Sequence, residues 1–298
     1  MAEAVQCSGY VAIIGRPNVG KSTLLNALVG QKLSIVSAKP HTTRHRVLGV
    51  LNRPGLQAVF IDTPGHARRS AKALHRLMAR TYRQAVEDAD LILLVVEATR
   101  IRREDRELFE ALAEFRGRTV LILNKIDLLK SRDGLLPLLQ ELSAFGFRDY
   151  LPVSALGADN LGPLVDVIAE GLPEGEPLYP PDFSTDKDFR FRAAEIIREK
   201  LFQRLHQEVP YGLTVEIEAI EETDEQVRID GLIWVDRQSH KPIVIGSNGR
   251  VLKSVGTDAR VEISELLGER VHLNLWLKVR EHWSDSEREL RRLGFDEL

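Results

Sequence analysis

Gly15-Arg16-Pro17-Asn18-Val19-Gly20-Lys21-Ser22 is the stretch on which the reading of the 298-residue chain turns. It fits G-x-x-x-x-G-K-S, a loop whose glycines let several backbone N–H groups converge on one phosphate chain. The context is right on both sides. The apolar run Tyr10–Ile14 reads as a strand, and Ser22–Val29 reads as a helix whose N-terminal dipole favours an anion. Lys21 would neutralise β- and γ-phosphate oxygens. The Ser22 hydroxyl would ligate magnesium, a hard cation that takes oxygen. The loop, with Thr23 beside it, points to a nucleoside triphosphate without naming the base.

Further along, short apolar runs alternate with helical patterns. The runs are Gln57–Ile61, Leu91–Val96, Thr119–Leu123 and Tyr150–Val153; the helical stretches include Ala71–Val86, Glu104–Phe115 and Leu135–Phe145. This predicts βαβ units, a mostly parallel sheet with helices on both faces. Asp62-Thr63-Pro64-Gly65 ends the run Gln57–Ile61, where a carboxylate faces the ligand crevice. Asp62 can hold magnesium through water, and the Gly65 N–H can reach the γ-phosphate. Asn124-Lys125-Ile126-Asp127 ends the run Thr119–Leu123. Guanine offers N1–H and N2–H on one edge, and one ionised carboxylate, Asp127, accepts both; adenine lacks that pair. Asn124 can brace the loop and meet the base's other edge. The Lys125 stem can lie along the ring plane. Ser154-Ala155-Leu156 follows Tyr150–Val153 and can offer a backbone N–H to the guanine O6.

Composition agrees with a globular chain. Apolar residues make up 43% and charged residues 29%, which excludes disordered and membrane-embedded classes. The formal net charge is -3, so a globally basic nucleic-acid binder is excluded but a local basic patch is not. Cys7 is the one cysteine, so no internal disulfide or multi-cysteine zinc site is possible, which fits a reducing compartment. The longest apolar run, Leu91–Val96, is far shorter than the roughly 20 residues of a membrane helix. The first ten residues carry no secretory pattern.

The pattern breaks at Glu170–Asp188, an acidic stretch holding Pro173, Pro177, Pro180 and Pro181. It reads as an extended linker between domains. Beyond it come a helical stretch, Phe189–His206, strand-like Leu213–Glu221 and Gln226–Val235, the run Ile243–Ile245, a periodic stretch Arg250–Leu267 and a strand Val271–Val279. The order α-β-β-α-α-β describes a small α+β domain. Gly246-Ser247-Asn248-Gly249 lies between two helices, where a G-x-x-G loop can press its backbone against a nucleic-acid strand. From Arg237 to Arg260 the basic residues are Arg237, Lys241, Arg250, Lys253 and Arg260, against one acid, Asp258. Ile243, Val244, Ile245, Val251 and Leu252 are the expected apolar floor for bases. The expected RNA contacts are Lys241, Ile243, Ile245, Gly246, Ser247, Asn248, Gly249, Arg250 and Lys253. The domains read as 1–170 for the nucleotide, 171–188 for the linker, 189–283 for RNA and 284–298 for a charged tail.

The motif series resembles a translation-factor-class GTPase. One such domain followed by a type II KH domain resembles the Era family, with the match running from about Tyr10 to Trp283 and including Trp276-Leu277-Lys278-Val279. The resemblance implies a P-loop GTPase that hydrolyses GTP to GDP with Mg2+. It implies binding of the single-stranded 3′ end of 16S rRNA by the KH domain and assistance to 30S subunit assembly. It also implies a cytoplasmic, monomeric protein with weak peripheral association with the inner membrane surface. By the family's pattern Thr43 is the switch threonine on magnesium, with its neighbour Thr42 as the alternative. Many GTPases orient the attacking water with Gln after D-x-x-G. This chain has His66 there, a departure from the family's apolar residue. GTPases with a similar loop hold K+ through an asparagine, which makes Asn18 the other candidate for assisting hydrolysis. The competing reading is a signalling GTPase whose C-terminal domain binds a protein.

Overall fold

The computed structural model describes residues 7–37, 39, 42–65 and 73–295. These gather into two compact units. The first is drawn from residues 7–34, 43–65 and 77–186; the second from residues 35–37, 39, 42, 73–76 and 187–295.

The first unit is built on a six-stranded sheet of β1 (Cys7–Gly15), β2 (Val47–Arg53), β3 (Leu56–Asp62), β4 (Leu91–Glu97), β5 (Thr119–Asn124) and β6 (Asp149–Pro152), in the order β2-β3-β1-β4-β5-β6. All neighbours are parallel except β2 and β3, which form a hairpin with Arg53 opposite Leu56. Val11 to Ile14, Leu91 to Val96 and Val120 to Leu123 are fully buried, as strands covered on both faces must be. The cover includes α1 (Lys21–Val29), α2 (Ala73–Asp88), α3 (Arg103–Ala111), α4 (Leu135–Ser143) and α5 (Leu161–Gly171). The strand–helix alternation of the sequence does not announce β2, which precedes β3 as the edge strand of an antiparallel hairpin with no helix between them. The helix read through to Phe115 instead ends at Ala111 and tightens into a 3-10 turn over Ala113–Arg118. There the Thr119 hydroxyl donates to the Phe115 carbonyl at 2.8 Å and turns the chain into β5.

The proline-rich stretch contains no helix after α5 and lies along this unit. The Leu178 and Tyr179 N–H groups donate to Gln57 Oε1 at 2.6 and 2.9 Å. On the outer edge, the Val50 N–H donates to the Ser184 carbonyl at 2.9 Å and the Leu48 N–H to Asp186 at 2.9 Å. The stretch therefore satisfies edge amides of β2 that would otherwise invite pairing with another chain.

The second unit has α6 (Phe189–Arg204), β7 (Leu213–Glu222), β8 (Val227–Val235), α7 (His240–Ile245), α8 (Arg250–Leu267), β9 (Val271–Val279) and α9 (Glu287–Arg292). Its sheet runs β7-β8-β9, antiparallel then parallel, with a bulge in β7 between Ile217 and Ala219. Ile197, Leu201 and Phe202 of α6 and Val255, Ala259 and Ile263 of α8 share a core with Ile229 and Ile233 of β8. The charged tail is anchored by Trp283, fully buried, whose Nε1–H donates to the Gly212 carbonyl at 3.0 Å. Among the described residues, no helix is long and apolar enough to cross a membrane.

Candidate functional site

Gly15 closes β1 and Lys21 opens α1, so the phosphate loop spans the strand-to-helix turn that the motif needs. Lys21 is buried, and its Nζ donates to the carbonyls of Gly15 at 3.1 Å and Arg16 at 2.9 Å. Burial pushes its amine down to about 8; Asp62 opposes the shift and Arg16 adds to it. Pro17 is half-buried, Val19 is buried, and Asn18 is exposed with φ +66°.

The three expected magnesium residues meet. The Ser22 hydroxyl donates to Asp62 Oδ2 at 2.8 Å and lies 2.9 Å from Thr43 Oγ1. Asp62 is fully buried, its carboxyl raised above the usual range by desolvation, with Lys21 and the Ser22 hydroxyl opposing. Its Oδ1 has no hydrogen-bond partner. Two hydroxyls and a dry carboxylate with one oxygen to spare suit a small hard cation such as Mg2+. The two threonines are placed differently, Thr43 beside Ser22 and Thr42 away from it. The Thr42 hydroxyl donates to the Lys39 carbonyl at 2.8 Å, and its carbonyl accepts from Arg198 Nη2 at 2.5 Å, so its hydroxyl and carbonyl are engaged within the second unit. Thr63 donates to the Ile13 carbonyl at 3.1 Å, which ties the turn after β3 to β1. A Cβ on Gly65 would fall 2.9 Å from the Pro17 nitrogen, so only glycine lets the segment after Pro64 lie this close to the phosphate loop. His66 lies outside the described residues.

At the base end, Asn124 is a brace: its Nδ2 donates to the Val19 carbonyl at 2.8 Å and its Oδ1 accepts the Ala155 N–H at 3.0 Å. The Ala155 N–H is thus engaged by the brace itself. The Ser154 hydroxyl donates to Asp127 Oδ1 at 2.5 Å and fixes the carboxylate that would read guanine. Sequence reasoning had used Ser154 only as part of a backbone donor. Lys125 adopts φ +68°, and its Nζ lies 3.5 Å from Glu97 at the end of β4. Leu156 is 82% exposed beside this loop, an apolar side chain open to a ligand.

In the second unit the G-x-x-G tetrad joins α7 to α8. Ile243 is 49% exposed, and Ile245, Val251 and Leu252 are half-buried. Val244 is fully buried in the core and cannot floor a groove. The run Ile243–Ile245 is helical, so one residue of the three must turn inward, beside His240 one turn earlier. Ser247, Asn248, Arg250 and Lys253 are exposed, and Lys241 and Gly246 are half-buried. Gly249 has φ +73°, and a Cβ there would meet nothing within 4 Å. Asp258, the one acid of the basic stretch, is paired with Arg204 of α6.

A family model described as a 50S ribosome-binding GTPase matches residues 10–125, and a KH domain model matches residues 208–284. The "GTPase Era" of Bordetella pertussis is 48% identical over 290 residues, covering 97% of this chain and 98% of that protein. The chain belongs to the Era family of GTPases. Its Coxiella burnetii relative, also named GTPase Era, is 44% identical over the same share. A crystal structure of an Aquifex aeolicus Era variant bound to GDP·AlF4− is 42% identical with a TM-score of 0.93, covering 97% of this chain and 99% of that one. A structure of Era in complex with MgGDPNP and nucleotides 1506–1542 of 16S ribosomal RNA is 41% identical with the same TM-score and coverage. As an Era-family enzyme the chain hydrolyses GTP, and the Era order of GTPase domain, then KH domain, is the order of its two units.

Proposed function

We propose that this GTPase is a nucleotide switch that binds the single-stranded 3′ end of 16S rRNA and assists 30S subunit assembly. The observation that carries the reading is a G-x-x-G loop with Ser247 and Asn248 exposed, followed by exposed Arg250 and Lys253, on a chain that also holds a complete guanine-nucleotide motif series. The 41% identical Era structure with MgGDPNP and 16S nucleotides supports the nucleotide and rRNA parts of this reading. In this reading residues 1–170 handle the nucleotide, 171–188 link, 189–283 hold RNA and 284–298 form a tail. The protein works in the cytoplasm as a monomer with weak peripheral contact to the inner membrane surface.

Each site residue then has a task. The loop from Gly15 to Thr23 and Lys21 hold the phosphates, and the Gly65 N–H faces the γ-phosphate. Asp127, held by Ser154, reads the guanine edge, while Asn124 braces and Lys125 and Leu156 cover the ring. Ser22, Thr43 and Asp62 would hold Mg2+, which when bound neutralises charge gathering on the phosphate oxygens. Asn18 would hold K+ against the phosphates, the place that an arginine finger fills elsewhere. Hydrolysis should be faster in potassium than in sodium, and Asn18→Ala should lose that difference while His66→Ala changes the rate only modestly. Equal rates in the two cations would reject the potassium role. The wider reading is tested by crosslinking GTP-loaded protein in lysate and sequencing the bound RNA. Reads should pile up at the 16S 3′ end and vanish in Gly249→Asp; scattered reads, or reads unaffected by that substitution, would refute it.

A further inference from the structure

Arg16 is the second residue of the phosphate loop, yet its side chain leaves the loop. Its Nε–H donates to Asp105 Oδ1 at 2.6 Å. The two side chains are 10% and 0% exposed, so the pair is dry. Asp105 stands in the first turn of α3, and its other oxygen, Oδ2, accepts the Arg102 N–H at 2.8 Å. The carboxylate is therefore tied on both oxygens, at the positive end of the α3 dipole. Arg16 Nη2 is buried with no hydrogen-bond partner. Asp105 is thus the counter-charge on which burial of the guanidinium depends, since a buried charge without its partner is strongly unfavourable. The backbone of the same arginine has a second duty. Its carbonyl accepts from Lys21 Nζ at 2.9 Å, beside the Gly15 carbonyl at 3.1 Å. One residue carries the α3 anchor on its side chain and the seat of the phosphate lysine on its main chain.

We infer that Asp105 is a positioning residue for nucleotide binding: through Arg16 it pins the opening turn of the phosphate loop, and with it the seat of Lys21, to α3. It acts on the phosphate end alone. The base end has its own organising pairs, Ser154 on Asp127 and Asn124 on Ala155, and Asn124 meets the phosphate loop beyond its opening turn, at the Val19 carbonyl. A carboxylate that merely capped α3 would matter for folding and not for the nucleotide. The inference rests on the phosphate-binding role of Lys21.

The test uses the full chain with Asp105→Asn, Asp105→Glu, Arg16→Gln, the Asn/Gln double variant and Lys21→Ala. The readouts are kcat and KM for GTP, the dissociation rate of a fluorescent GDP, the guanosine-to-xanthosine affinity ratio and the thermal midpoint. Loss of one charge-assisted hydrogen bond should raise the GDP dissociation rate and KM about ten-fold in Asp105→Asn. The base ratio should not move. Arg16→Gln should behave alike, the double variant should be no worse than either single one, and Asp105→Glu should recover part of the loss. A lower thermal midpoint with unchanged dissociation rate and KM would reduce Asp105 to a cap and overturn the inference. Additive losses in the double variant would overturn it too. Should Asp105→Asn fail to fold, the double variant Asp105→Asn/Arg16→Gln carries the same readouts, because it removes both charges of the buried pair and strands neither. Weak binding in Lys21→Ala with normal binding in Asp105→Asn would overturn the positioning role alone; normal binding in Lys21→Ala would overturn the phosphate reading beneath it.

Discussion

Lys21 carries opposite consequences for stability and for binding. Its amine is lowered from 10.5 to about 8, chiefly by burial. The folded value lies below the unfolded one, so the nucleotide-free protein gains stability from this group as pH rises from about 8 towards 10.5. Binding runs the other way. Phosphates need the protonated amine, so above about pH 8 the nucleotide must draw a proton in with it. The expected result, in magnesium-free protein, is GTP affinity that is flat below that pH and falls by up to about ten-fold per unit above it. Calorimetry in buffers of different ionisation enthalpy would report proton uptake of up to one per site over the same range. Affinity flat across this range would mean that Lys21 keeps its proton without the nucleotide.

The G-x-x-G tetrad makes its prediction through backbone and open space together. Gly249 has φ +73°, a left-handed value, and a Cβ would meet nothing within 4 Å. Asp tolerates that conformation better than most residues, at a cost of about 1–2 kcal/mol. Gly249→Asp should therefore fold, keep its RNA-independent GTP hydrolysis and lose RNA affinity by about 1–3 kcal/mol. Gly249→Ala separates the backbone cost from the added charge. RNA affinity that survives Asp at physiological salt would remove this loop from the contact surface. The tetrad, like G-R-P-N-V-G-K-S, D-T-P-G and N-K-I-D, was legible because its residue types constrain the backbone within one short run. Contacts made only by folding were not legible. Asp105 lies 89 positions from Arg16, and Ser154 lies 27 from Asp127. β2 escaped because a hairpin breaks the strand–helix rhythm, and the inward turn of Val244 because three apolar residues in a row do not declare their period. The proline-rich stretch reads as a linker from composition; its bonds to Val50 and Leu48 depend on an edge strand, and those to Gln57 on the strand beside it, and composition reveals neither.

RNA binding by a chain with 41 basic and 44 acidic residues must be local. Between Arg237 and Arg260 five basic residues face one acid, and that acid, Asp258, is already neutralised by Arg204. The stretch is therefore more positive than its own composition suggests, while the rest of the chain repels a long polyanion. This combination favours a short single strand over duplex, whose charge extends beyond the stripe. If three to five of these side chains neutralise phosphates, log affinity should fall against log salt with a slope of about -2 to -3.5, at roughly 0.7 per contact on a single strand. Lys253 is exposed just after the tetrad, and Lys253→Ala should flatten the slope by about 0.7. Duplex of equal length should bind measurably only at low salt. Titrations of a fluorescent single-stranded oligonucleotide of the 16S 3′ end in rising potassium chloride would measure each quantity. A slope near zero would mean that the stripe does not meet phosphates, and would turn the second unit towards a protein partner instead.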